Sequence, residues 1–145
     1  MKDSDMKLLN SLYQNIKMAI TSLEELQTVA KSEKLKSEMS KQLTNYNIFA
    51  KECEMIAKAE KLDIKDNSWI DKAKLWSSIK WKTAMDKSET NISEMLIFGT
   101  IMGIVDIIKN KSYNKSANDE ICDIATKLEE MQEENLQNLK PFLGE

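Results

Sequence analysis

Residues 8–30 read LLNSLYQNIKMAITSLEELQTVA, and within them Leu9, Leu12, Ile16, Ala19, Leu23, Leu26 and Ala30 recur at spacings that alternate between three and four. That alternation puts one apolar stripe on one face of a helix. Leu8, Tyr13 and Ile20 widen the stripe, and Ser4 or Asp5 is suited to cap its start. The spacing therefore predicts a helix from about Ser4 to Lys31, roughly 40 Å long at about 1.5 Å per residue.

The same reading extends outward. A polar break at Ser32-Glu33 predicts a tight hairpin into a second, antiparallel helix. Its seam is Met39, Gln42, Tyr46, Phe49, Cys53 and Ile56, and it ends near Asp63 to Asn67. Residues 68–113 are helical by pattern but too long for one helix, at roughly 70 Å. The break falls in Asp86-Lys87-Ser88-Glu89-Thr90-Asn91, where Asp86 with Glu89 and Asn91 with Glu94 approximate capping boxes. This divides the stretch into a helix from about Ser68 to Asp86 and another from about Thr90 to Lys111. A loop over 110–118 leads to Asn118 as cap of a last helix. Its seam is Ile121, Ile124, Leu128, Met131, Asn135, Leu139 and Phe142, and Pro141 marks its end.

Composition agrees with a few long helices. Gly 3 and Pro 1 leave little material for turns, and 31% charged against 41% hydrophobic residues indicates a globular chain. The expected fold is an all-α four-helix bundle, one domain over residues 1–145, with a long, partly helical crossover between the second and third bundle helices. That crossover would pack Trp69, Ile70, Ala73 and Trp76 on the outside or end of the bundle, with Trp81 pointing elsewhere.

Several chemistries are excluded by what is missing. His 0 removes catalytic triads and mixed Cys/His zinc sites. All 21 of Lys+Arg are lysine, so no guanidinium clamp exists for phosphate or guanine. A net charge of -3 argues against nucleic-acid binding. The many Lys, Asn and Ile residues indicate an AT-rich bacterial source. Cys53 and Cys122 form no paired motif, and Cys53 is expected as a buried, reduced thiol. The acidic start Met1-Lys2-Asp3-Ser4-Asp5 has no apolar core after it, so a cytoplasmic setting is expected.

The run from Met95 to Ile108 is apolar on every side but carries Asp106, and a membrane span needs about 20 apolar residues, so no span is expected. Either this helix is central and covered all round, or a homodimer contact forms through its outer face or the crossover, with Ile97, Ile101, Ile104 and Ile108 of the helix and Trp81 of the crossover as the interface candidates. Gly99 and Gly103 would let another backbone approach closely. Tyr46, Phe49, Met102 and Met131 are the candidates for lining a ligand pocket in the bundle interior. A di-metal carboxylate site would have to draw on Glu94, Asp106 and Glu134; the run from Glu129 to Glu134 reads as a solvated face.

The hairpin of two amphipathic helices, the segment Leu75-Trp76-Ser77-Ser78-Ile79-Lys80, the Ile97-Phe98-Gly99-Thr100 entry to an apolar helix and the ending Leu128-Glu129-Glu130-Met131-Gln132-Glu133-Glu134-Asn135-Leu136 together resemble the ferritin-like superfamily, nearest its small bacterial branches. The resemblance implies the bundle and its crossover. It also implies where metal ligands would stand: Thr100 follows the glycine near which the family's metal-binding members carry a Glu. Glu134 stands for the acid of the last helix, and Gln137 and Asn138 occupy the place of its His. The expectation is a metal-free, cofactor-free binding or structural module with no catalytic residues, forming a homodimer. A di-metal oxidoreductase and a small hydrophobic ligand carrier are the alternatives. The sequence names no protein partner.

Overall fold

A computed structural model describes residues 2–64 and 87–144. Among them stand four helices: α1 (Lys2–Gln27), α2 (Glu33–Glu60), α3 (Glu89–Tyr113) and α4 (Asp119–Leu139). A short 3-10 turn at Lys140–Phe142 closes α4. No strand occurs among the described residues. The helix expected over 68–86, with its Trp69, Trp76 and Trp81, lies outside the described residues.

α2, α3 and α4 each start where a side chain satisfies a free backbone N–H, whereas α1 begins at Lys2, so Ser4 and Asp5 lie inside the helix they were expected to cap. Ser32 Oγ accepts from Leu35 N at 3.2 Å, and Asn118 Oδ1 accepts from Ile121 N at 2.9 Å. The start of α3 differs from expectation. Ser88, with extended backbone, is the cap and accepts from Asn91 N at 3.2 Å, so Asn91 lies inside the helix it was expected to cap. α1 ends at Gln27, short of Lys31, in a tightened turn where Val29 N donates to Leu26 O, three residues back, at 3.2 Å.

α2 also stops before the expected Asp63. Lys61 adopts a left-handed conformation (φ 55°, ψ 44°), its N–H reaches Lys58 O, and Leu62 N donates to Ala57 O at 2.8 Å. This is a Schellman closure with lysine where glycine is usual. Leu62 then packs against the core, as the closure favours.

Contacts between helices fix their directions. Tyr13 OH donates to Glu54 Oε2 at 2.7 Å and Gln27 meets Ser40, so α1 and α2 are antiparallel. Ser4 meets Ser116 at 2.9 Å, Asn118 N donates to Asp5 Oδ1 at 2.7 Å, and Asn15 Nδ2 donates to Gly103 O at 3.0 Å. α1 and α3 are therefore antiparallel as well. Lys111 pairs with Glu129 at 3.2 Å, and Thr90 Oγ1 donates to Phe142 O at 3.4 Å, which makes α3 and α4 antiparallel. It follows that α2 and α3 point the same way and α1 and α4 the other. α1 packs chiefly on α2 and α3, and α4 chiefly on α3.

The core contains fully covered Leu9, Leu12, Ile16, Leu35, Met39, Ile107, Ile121 and Leu128. Cys53 is buried with them, and burial pushes its thiol up to about 12. α3 is covered on one side. Ile97 and Ile104, expected at an interface, are turned into the bundle. Ile101 and Ile108 stay exposed, together with Phe98, Met102 and Val105. An all-round apolar helix has no moment to choose its inner face, so its neighbours decide which side is covered. By length and composition α3 is apolar enough to cross a membrane, but here it packs along α1 and α4.

The left-handed Lys61 gives a direct test. A side chain in that region costs about 1 kcal/mol relative to glycine. Lys61→Gly is expected to stabilise the fold by about 1 kcal/mol in urea unfolding at equal m-value. An unchanged or lower midpoint would show that Lys61 makes compensating contacts.

A candidate ligand cavity between α1 and α3

Small residues face each other where α1 and α3 cross. α1 contributes Ser11, Ala19 and Ser22, and α3 contributes Gly99, Thr100 and Gly103. Gly99 is exposed and borders this space, and a Cβ built on it would meet nothing within 4 Å. The result is a cavity of about 580 Å³, within the ~300–1,000 Å³ usual for small-molecule sites. Gly99 and Gly103 were expected to admit a neighbouring backbone. Instead Gly99 borders the cavity, and Gly103 lies against side chains.

The lining is graded along the helices. Toward the start of α1 it is polar, with Ser11, Gln14 and Asn15 facing Asp106 and Asn110 of α3. Toward the end of α1 it is apolar, with Leu23 and Leu26 facing Met95 and Leu96. Gln42 and Tyr46 of α2 and Gln132 of α4 reach in from behind. These three are at most 2% exposed.

A connected amide network sits at the centre. Gln132 Nε2 donates to Asn15 Oδ1 at 2.8 Å, and Asn15 Nδ2 donates to Gly103 O. Asn110 Nδ2 also donates to Asp106 Oδ1 at 3.2 Å, and Asn15 lies near enough to favour the charged Asp106 carboxylate. A Cβ at position 103 would come within 3.0 Å of Gln132 Nε2 and 3.3 Å of Asn15 Oδ1, so glycine there is what lets the network close. Gln132 Oε1 is buried and has no hydrogen-bond partner in the protein. An unpaired acceptor of this kind costs about 1–3 kcal/mol, a cost that a donor reaching it would remove.

Two titratable groups carry the mark of this setting. Burial pushes the Tyr46 phenol up to about 12, with the amides of Gln132 and Asn135 partly opposing the rise. Burial also raises the Asp106 carboxyl above its ordinary range, against the lowering effects of Asn15, Lys109 and Asn110.

Of the pocket residues read from sequence, Tyr46 and Met102 line the cavity. Phe49 and Met131 do not: each is half-buried against the apolar core. Of the acids considered for a metal site, Asp106 lines the cavity while Glu94 and Glu134 are exposed on the surface. The three are not brought together, and no cluster of three acidic or thiol ligands forms among the described residues. Asn15 and Gln132 were missed. The signal for Gln132 was present, since Ile121, Ala125, Leu128, Gln132, Asn135 and Leu139 alternate spacings of four and three without a fault. Comparison with family models, with curated proteins and with solved structures finds no match to this chain.

Asp106 yields a prediction with a definite sign. Its folded pKa lies above its unfolded one, so the native state loses stability as pH rises through that window and bears the full penalty at neutral pH. Asp106→Asn is expected to melt higher than the parent at pH 7, with the difference shrinking below the ordinary carboxylate range. A lower melting temperature for the variant at pH 7 would mean that its hydrogen bonds outweigh its burial.

Proposed function

We propose that this chain is a binding module that holds a small, mainly apolar ligand in the cavity between α1 and α3. The observation that carries the reading is the graded cavity with the buried, unpartnered Gln132 Oε1 at its polar end. Ligand sites combine an apolar lining with a few placed polar groups in this way.

The helix directions favour a ferritin-like arrangement, in which one long crossover joins two parallel bundle helices. In the metal-binding members of that class the bundle centre holds carboxylates and histidines from all four helices. Here the corresponding layer is Asn15, Tyr46, Asp106 and Gln132. One carboxylate among neutral amides and a phenol is a poor donor set for a di-metal pair. This favours a metal-free module without redox catalysis, in a reducing, cytoplasmic setting.

The exposed stripe Phe98, Ile101, Val105 and Ile108 supports a second reading, a homodimer through α3. Sedimentation of the parent and of Val105→Lys/Ile108→Lys tests it. A dimer that the double variant splits is expected, and a parent monomer at high concentration would remove the reading.

For the cavity the probe is N-phenyl-1-naphthylamine, a neutral fluorophore that brightens in apolar surroundings. Saturable enhancement with one site per chain is expected. Gly99→Leu puts a side chain into open space at no steric cost and raises helix propensity. It should weaken probe binding at least tenfold while keeping the parent's melting temperature or raising it. Equal affinity in a folded Gly99→Leu variant would defeat the reading.

A further inference from the structure

We infer that the cavity selects an alkylammonium compound, a single hydrocarbon tail bearing a primary ammonium head, with the head between Asp106 and Gln132 Oε1 and the tail toward Leu26 and Leu96. This rests on the cavity reading above and adds the chemical class of the ligand.

The first argument is a census of donors and acceptors. Most donors at the polar end, the Gln14 amide excepted, are already engaged inside the protein. Gln132 Nε2 serves Asn15, Asn15 Nδ2 serves Gly103 O, and Asn110 Nδ2 serves Asp106. Ser11 Oγ donates to Leu8 O at 2.8 Å, and Thr100 Oγ1 donates to Leu96 O at 2.7 Å. What remains toward the cavity, beside the Gln14 amide, is chiefly acceptor capacity: the Asp106 carboxylate and the unpartnered Gln132 Oε1. An ammonium brings three donors and no acceptor, which is the complement of that set.

The second argument is charge. Asp106 is the sole charged residue among the described residues that line the cavity. Lys7 lies outside it, in an adjoining polar depression with Asn10 and Tyr113, and pairs with Asp3 at 3.1 Å. Lys109 acts on Asp106 from the exposed side of α3. A carboxylate or phosphate head would face Asp106 with no cation in the cavity lining to offset it, and like charges brought together out of water repel strongly. An ammonium instead forms a charge-assisted hydrogen bond there.

The third argument is the gradient. Asn15 and Asp106 lie near one end, and Leu26 and Met95 lie at the other. From Ser11 to Leu26 along α1 the distance is about 22 Å at 1.5 Å per residue, enough for an extended single chain. The order of polar then apolar lining fixes its direction.

The test is calorimetry on the full chain at pH 7 with four ligands of one tail length: octylamine, octyltrimethylammonium, 1-octanol and octanoate. Octylamine is expected to bind at least tenfold tighter than 1-octanol, with octanoate weakest. Octyltrimethylammonium, which keeps the charge but has no N–H, should fall below octylamine because it cannot serve Gln132 Oε1. Asp106→Asn should remove most of octylamine's advantage over octanol, and Asp106→Ser provides the same test should the first variant not fold. If 1-octanol or octanoate binds as tightly as octylamine, or if folded Asp106 variants keep the full preference, the alkylammonium assignment is overturned while the cavity stands. If none of the four binds and the neutral fluorophore also fails, the cavity reading itself has failed.

Discussion

The hydrogen bonds of one amide, Asn15, hold the centre of this bundle in register. Its Nδ2 reaches the Gly103 carbonyl of α3, and its Oδ1 receives Gln132 Nε2 of α4. Apolar seams made of leucine and isoleucine specify that helices pack but are tolerant of sliding by a turn. An amide pair is not tolerant. A slip of one turn leaves Asn15 and Gln132 buried without partners, at about 1–3 kcal/mol for each group. The layer therefore fixes the level of α1 against α3 and α4 more sharply than the surrounding core does, in the manner of a single polar residue in a coiled-coil seam.

The two glycines of α3 serve this layer in different ways. Each costs about 1 kcal/mol of helix propensity relative to alanine. Gly103 repays that by admitting Gln132 and Asn15, whose atoms lie 3.0–3.3 Å from where its Cβ would be. Gly99 makes no such contact and instead leaves open volume one turn away. A pair that reads as one motif in the sequence thus divides into a packing position and a cavity position.

Much of the architecture is legible in the sequence because it is local. The α1 stripe, the Ser32 break and the Asn118 cap depend on neighbours within four residues. Two of the differences share one cause. At Phe49 against Ala50, and at Met131 against Gln132, the larger apolar residue at i+3 was preferred over the less apolar one at i+4. In both helices the strict alternation, Tyr46–Ala50–Cys53–Ala57 and Leu128–Gln132–Asn135–Leu139, gives the buried face. A polar residue on a seam looks like a fault until a partner such as Asn15 is known, and that partner is 117 residues away in the chain. The inner face of α3 was illegible for a different reason: its apolar residues surround the helix, so the choice belongs to α1 and α4.

That same assignment of contacts explains why a cavity persists in a chain driven to bury apolar surface. Helices are stiff, and α1 already touches α3 at Asn15 and Gly103, 3.0 Å apart. Further along, Leu26 and Met95 border the cavity with large side chains. Between these levels the small Ala19, Ser22 and Gly99 share the lining with Met18, Leu23, Leu96 and Met102, and stiff helices do not bend inward to meet over so short a span. The small residues thus contribute to the gap. Such a gap forgoes dispersion contacts that a denser core would make. A ligand that fills it restores them and stabilises only the folded chain, so binding and folding are linked through the same volume.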